Sequence, residues 1–290
     1  MNYIDRKPQL IVFFVSLLVG MMVFFYIFLQ GMYMPEMPYI IPLKQSVNNA
    51  FAIGIMIILL PNALIQYNNL QWERGVDKNI PRLLMDITES IQSGESLYKA
   101  VEVSANRDYG PVTQHLENAV ANFRMTSDFE ESMRVLGQKL RRPNAKRLTT
   151  ILIETHQTGG NIIDILDTSI NMFTSLHEYK EERDSYIGPY VLLVYVGALV
   201  FLVMSWTVIT QFIDPIIEIS QQEYASGQTI LRSAIEKPYY VAILFWASII
   251  EGTFGGLVAG KIASGRMFNG LIHSVFLLAL TLLFFNFLIT

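Results

Sequence analysis

The sequence predicts an all-α membrane protein, with about five transmembrane helices and a six-helix bundle between the second and third. Three observations carry this. Of 290 residues, 52% are hydrophobic and only 16% charged, too apolar for an ordinary soluble domain. Five stretches, near 10–31, 47–66, 188–213, 239–260 and 270–289, each supply the run of about 20 apolar residues that a bilayer requires. Between the second and third, apolar residues recur at helical spacing among 14 Lys/Arg and 18 Asp/Glu. The domains expected are therefore 1–66 with two spans, a helical module at 67–187, and 188–290 with three spans.

The first span follows "MNYIDRKPQ", a start that resembles a signal peptide. Its apolar run is too long for a cleaved core and no small-x-small site follows, so it reads as a retained anchor. In the module, Asn79 and Pro81 open a helix that buries Ile80, Leu84, Ile87 and Ile91, and Gly94 ends it. A second helix from Ser96 carries Leu97, Ala100 and Val101. Pro111 starts a third with Val112, Leu116, Val120 and Phe123 on one face. Ser127 and Glu130 read as a capping box for the fourth, with Phe129, Met133, Leu136 and Leu140 inward. Pro143 starts the fifth, with Leu148, Ile151, Leu152 and Thr155, and Gly159-Gly160 stops it. Asn161 caps the sixth, where Ile162, Leu166, Ile170 and Phe173 align; it continues towards the third span and kinks near Gly188-Pro189. No alternating strand pattern is present.

Gly255 to Lys261 spells G-x-x-x-x-G-K, the front of a phosphate-cradling loop. That loop needs a Ser or Thr next to hold magnesium, and Ile262 stands there. It also needs a short strand before it, and an apolar run of span length precedes it instead. The same residues place Gly252, Gly256 and Gly260 on one helix face, where missing side chains let a second helix approach. The reading is packing, not nucleotide binding. Glu251, near the middle of the same span, is costly there if ionised. Either it serves an inter-helix contact or ion path, or Thr253 or Ser248 satisfies it locally.

His115, His156, His177 and His273 lack metal-ligand spacing, so no metal and no cofactor is expected. Net charge is −4, which argues against nucleic acid as a partner, and the absence of cysteine removes disulfides and thiol chemistry. Lys139, Arg141, Arg142, Lys146 and Arg147 gather with no acidic residue among them. They read either as a solvated face or as a dock for an acidic protein surface or anionic lipid.

Pro81, "IQSGESLYKAV" at 91–101, Gly110-Pro111, "ETHQTGGNIIDILD" at 154–167 and "FGGLVAGKIASGRMFNGLIHS" at 254–274 together resemble the type II secretion F-domain family. Its members are membrane platforms of type IV pili, type II secretion systems, Tad-type pili and archaella, and the last stretch resembles the archaeal members. On this resemblance Gly94, Glu154, Gly159 and Gly160 are F-domain motif positions. Many members carry two F domains; this chain shows one, which implies a homodimer or a paired sister F-domain protein. The resemblance implies no catalysis. It implies a platform that couples a cytoplasmic hexameric secretion ATPase to pilin-like subunits drawn from the lipid bilayer. The competing class is a small-solute transporter or channel using Glu251. Transporters of this size are built from repeated spans, no repeat is visible, and about two fifths of the chain is the module.

Charge asymmetry orients the chain. Arg6, Lys7, Arg74, Lys78, Arg82, Lys180, Arg183, Lys261 and Arg266 fall on one side of the spans, and only Lys44, Arg232 and Lys237 on the other. The N-terminus and residues 67–187 are expected in the cytoplasm and Thr290 outside. Single cysteines at Ser93 and Ser226 check this in a chain that has none of its own. An impermeant thiol reagent on intact cells should label position 226 and leave 93 unlabelled; the reverse pattern inverts the topology.

Overall fold

The computed structural model describes residues 3–31, 41–158, 162–225 and 236–289, with backbone alone for Thr158 and 220–225. Asn161, Ser226, Arg232 and Thr290 lie outside the described residues. No strand occurs among those described. In chain order the helices are α1 (Arg6–Leu29), α2 (Gln45–Gln92), α3 (Leu97–Ser104), α4 (Thr113–Thr126), α5 (Phe129–Leu140), α6 (Pro143–Thr158), α7 (Ile162–Val208), α8 (Asp214–Ala225), α9 (Lys237–Ser264) and α10 (Leu271–Phe284). Among the described residues five stretches are long and apolar enough to cross a membrane: Arg6–Leu29, Gln45–Gln92, Ile162–Ile219, Lys237–Ser264 and Met267–Ile289. The chain forms two compact units. One is Met1–Tyr3 with Asn68–Tyr186, the other Ile4–Tyr67 with Ile187–Thr290.

The first unit is built on four short helices, α3 to α6, and on segments of the long helices α2 and α7. The expected start at Asn79-Pro81 is corrected: both residues lie inside α2. Trp72 and Val76 before the proline and Leu83, Leu84 and Ile87 after it are all buried. Burial on both sides holds one helix through a residue that lacks the N–H. Asn79 is no cap either, since its side chain donates to the Gly75 carbonyl at 2.8 Å. Likewise α7 is helical on both sides of Pro189.

Caps define the short helices. Ser96 accepts from the Lys99 N–H at 3.4 Å and opens α3. The capping box at Ser127 and Glu130 does not form. Ser127 has φ 59° and closes α4, while Asp128 opens α5 by accepting from the Glu131 N–H at 2.9 Å. A carboxylate is the stronger acceptor at a helix N-terminus, and Glu130 instead accepts from Gln157 at 2.8 Å.

The apolar stripes expected from spacing converge on one core: Ile80, Leu84, Ile87, Ala100, Val101, Leu116, Val120, Met133, Leu136, Leu140, Leu148, Leu152, Leu166 and Phe173 are all buried there. Tyr109 joins them fully buried, its hydroxyl donating to Asp86, which also pairs with Arg107 at 2.8 Å. Burial above all, then the Asp86 carboxylate, pushes that phenol up to about 12.

In the second unit, polar side chains pair across helices. Asn62 of α2 donates to Ser16 of α1 at 3.1 Å, and Trp246 of α9 to the buried Asn48 of α2 at 2.9 Å. Asn49 donates to Asn286 at 2.6 Å, and Tyr195 of α7 is hydrogen-bonded to His273 of α10 at 2.5 Å. Asp214, which begins α8, pairs with Lys237, which begins α9, at 2.8 Å.

Candidate functional site

The basic run sits on the turn between α5 and α6, and the fold divides it. Arg141 has a left-handed backbone, φ 51°, which turns the chain between Leu140 and Pro143. Lys139, Lys146 and Arg147 are exposed and make no ion pair with the described residues. Arg141 is also exposed, its guanidinium 5.4 Å from the centre of the Tyr3 ring. Arg142 points inward. Its side chain is only 19% exposed and reaches Glu73 at 2.7 Å and Asp77 at 2.5 Å, both on α2. Asn144 donates to Asp77 at 3.3 Å and Lys180 of α7 donates to it at 3.1 Å. Arg142 thereby leaves the docking set: a guanidinium fork already held by two carboxylates has little to offer a partner.

Burial works to raise the Asp77 carboxyl. The hydrogen bond and charge of Arg142, joined by those of Lys180, outweigh it and hold the group below its ordinary value. Burial works equally against a charged Arg142, and Asp77 with Glu73 overcomes it, so Arg142 rises further above its usual value.

A groove of about 480 Å³ runs along α5 and α6, lined among others by Arg134, Gly137, Lys146, Thr149, Ile153 and Glu154. Gly137 permits the close approach, since a Cβ there would strike the Thr149 hydroxyl. The groove unites Lys146 of the basic run with Glu154 of the 154–167 motif. Gly94, with φ 94°, ends α2 as a residue without a side chain can. Gly159 and Gly160 lie outside the described residues.

In the second unit, Gly252, Gly256 and Gly260 face α10 and the turn before it. A Cβ at Gly252 would stand 3.2 Å from Leu277 Cβ, and one at Gly256 or Gly260 would fall within the backbone of Ser274 or Gly270. Across the same approach the Ser274 hydroxyl donates to the Thr253 carbonyl at 2.8 Å. The glycine face is thus occupied by the chain's own next helix. Lys261 donates to the Gly265 carbonyl at 3.0 Å, closing the end of α9 where Gly265 takes φ 75°. Glu251 is half-buried. Ser248 and Thr253 donate to Leu244 and Ile249 of their own helix, and neither is hydrogen-bonded to Glu251 among the described residues.

Residues 83–210 match the family model described as "Type II secretion system (T2SS), protein F". These residues form a single F domain. Over 239 residues, 81% of this chain, the sequence is 24% identical to an uncharacterized protein of Methanocaldococcus jannaschii, covering 38% of that relative. The chain therefore spans well under half of the relative's length. No solved structure matches.

The F domain begins inside α2, takes in α3 to α6, and ends at Thr210 just past α7. With five helices long and apolar enough to cross a membrane among the described residues, two of them overlapping the matched stretch, it marks a multi-pass membrane protein. Glu73 and Asp77 precede the matched stretch while Arg142 and Lys180 lie within it. No sequence signal marks this cluster, because Asp77 is 65 positions from Arg142 and 103 from Lys180.

Two outcomes follow from these contacts. Gly256→Leu should destabilise the protein by about 1–3 kcal/mol, as overpacking against a backbone does, whereas Lys261→Ala should cost about 0.5 kcal/mol or less. Thermal unfolding in detergent checks the contrast. Asp77 is more acidic folded than unfolded, so its contribution is complete above its ordinary 3.8 and is lost as pH falls through the lower folded value. Asp77→Asn should lower stability at pH 7 by about 1–3 kcal/mol, between exposed and buried pairs. It should also remove that share of the acid loss below pH 3.8, read from unfolding midpoints at the two pH values.

Proposed function

We propose that this chain is a non-enzymatic platform of the cytoplasmic membrane that assembles a type IV pilus-like filament or a type II secretion pseudopilus. The observation that carries the reading is the F domain at 83–210 in a chain with five apolar helices. On this reading residues 67–187 and the N-terminus face the cytoplasm and Thr290 lies outside, as the Lys/Arg bias favours. The module takes motion from a hexameric secretion ATPase and passes it to pilin-like subunits leaving the bilayer. A second copy, or a paired sister F-domain protein, completes the platform, which needs no cofactor of its own.

The docking surface proposed for the ATPase is Lys139, Arg141, Lys146 and Arg147, four exposed cations at one turn. An acidic protein face complements them, and such rim charges govern encounter and salt dependence more than tight affinity. A transporter reading keeps one supporting observation: Glu251 has no hydrogen-bond partner among the described residues.

The test is copurification of the tagged protein from its source cells in mild detergent. A secretion ATPase should come with it, and changing Lys139, Arg141, Lys146 and Arg147 to Glu should cut its recovery about tenfold or more, while the protein still inserts. Arg142 is left unchanged because its loss would disturb the fold. If the variant retains the ATPase undiminished, the basic turn is not the dock. If no ATPase accompanies the wild type and Glu251→Gln abolishes solute flux in vesicles, the transporter reading replaces the platform.

A further inference from the structure

We propose that Glu251 is the point at which two copies of this chain meet inside the membrane, the carboxylic acid of one copy pairing with that of the other beside the groove between α7 and α9. Glu251 stands at the middle of the 28-residue α9, a helix long and apolar enough to cross a bilayer. Other polar side chains of this unit reach partners on neighbouring helices, as Asn62 does with Ser16 and Trp246 with Asn48. Glu251 is half-buried and has no hydrogen-bond partner among the described residues.

The contacts of α9 fix the direction in which Glu251 faces. Asp214, where the helix after α7 begins, pairs with Lys237 at the start of α9, at 2.8 Å. Farther along α9, a Cβ at Gly255 would stand 3.3 Å from Val194 of α7. Later residues of α9 thus meet earlier residues of α7, so the two helices run antiparallel. Glu251 lies one turn before Gly255 and is therefore level with Gly197 and Ala198, one turn after Val194. Both are small. Ala198 is buried, whereas Gly197 is exposed and a Cβ added to it would meet only open space. On the other flank of Glu251, Ile250, Phe254 and Val258 recur at helical spacing as an exposed ridge. Glu251 sits on the shoulder between that ridge and the contact with α7. The face that packs on α10, at Gly252, Gly256 and Gly260, is a different one.

Lipid tails offer a carboxyl no hydrogen bond, and an ionised carboxylate at mid-bilayer is costly. The form to be satisfied is the acid, which carries one donor and a free acceptor. Two such acids complement each other, each O–H donating to the other's carbonyl. A two-fold axis along the membrane normal keeps every residue at its own depth and brings identical patches together. The second copy therefore delivers the matching group at the matching depth by symmetry alone. Gly197 leaves room for the incoming helix, as small residues do where membrane helices cross, and the apolar ridge supplies contact around the pair. This rests on the platform reading only for the expectation that copies meet. The pairing is measured without an ATPase, so the two can fail separately.

The full chain, free of native cysteine, is labelled with donor or acceptor dye at Met267→Cys, an exposed position of the same unit. Energy transfer between copies is followed in phosphatidylcholine vesicles as the protein is diluted in lipid. The labelled parent should show transfer above that of random proximity. Glu251→Leu and, separately, Gly197→Leu should move the dissociation midpoint about tenfold towards higher protein density. Glu251→Gln should stay within about threefold of the parent, because an amide also carries both a donor and an acceptor. Thermal unfolding in detergent should leave Glu251→Leu at least as stable as the parent, since leucine there leaves no polar group unpaired. Random transfer in the parent would show that lipid covers this face. An unchanged midpoint in Glu251→Leu would place the contact elsewhere. Equal loss in Glu251→Gln and Glu251→Leu would exclude the self-complementary pair. A clear loss of stability in Glu251→Leu would make the carboxyl a support of its own fold. Any of these four results overturns the proposal.

Discussion

A hydrocarbon solvent offers backbone N–H and C=O groups no partner except one another, and the architecture follows from that constraint. A segment that crosses a bilayer alone must be helical throughout. Here α2 and α7 are helical and then continue, reaching 48 and 47 residues where about 20 would span. What changes along each helix is the solvent it meets. In one unit α2 and α7 are apolar around most of their circumference; in the other they carry a one-sided stripe that α3 to α6 cover. The long helices need no break between these regimes, and Pro81 and Pro189 do not impose one.

The same constraint governs polar side chains among the apolar helices. Asn48 with Trp246, Asn62 with Ser16, Asn49 with Asn286, Tyr195 with His273, and Ser274 with the Thr253 carbonyl each join different helices. Measured intramembrane hydrogen bonds average only about 0.6 kcal/mol, so their value lies in choosing which faces meet more than in driving association. The glycines of α9 act alongside them by removing side chains where α10 arrives. This explains why a stretch that spells most of a nucleotide loop does none of its chemistry. Its lysine closes a helix end and its glycines admit a neighbouring backbone.

In the first unit, charge has two physical regimes. Lys99 and Arg124 flank Glu102 near the surface and, through hydrogen bonds first, draw that carboxyl down to about 2. Such exposed pairs are screened and contribute little to stability. The Arg142 cluster is different because its carboxylates are shielded, at 13% and 11% exposed, and two long helices share it. Backbone geometry decides which cations fall into which regime. The left-handed residue at Arg141 reverses the chain, leaving Arg141 over Tyr3 and sending Arg142 towards α2.

Local physics made much of this legible before any coordinates. Apolar runs longer than a bilayer is thick mark spans, helical spacing picks out Ile80, Leu116, Met133, Leu152 and Leu166 as core, and Gly94, Ser96 and Pro143 mark boundaries, because each signal sits within one or two turns of chain. The motif residues likewise pointed to an F domain, which the family match places at 83–210. What tertiary structure decided were competitions between local signals and distant partners. Asn79-Pro81 reads as a helix start until core contacts on both sides carry α2 through it. Ser127 and Asp128 are both competent caps, and Ser127 is taken up by the left-handed turn that closes α4, which leaves Asp128 to cap α5. Five neighbouring cations look alike in sequence, and only the arrival of Glu73, Asp77 and Lys180 from far along the chain distinguishes Arg142 from the rest. Charge acts through space and not along the backbone, so a partner 65 positions away leaves no trace in the residues around it.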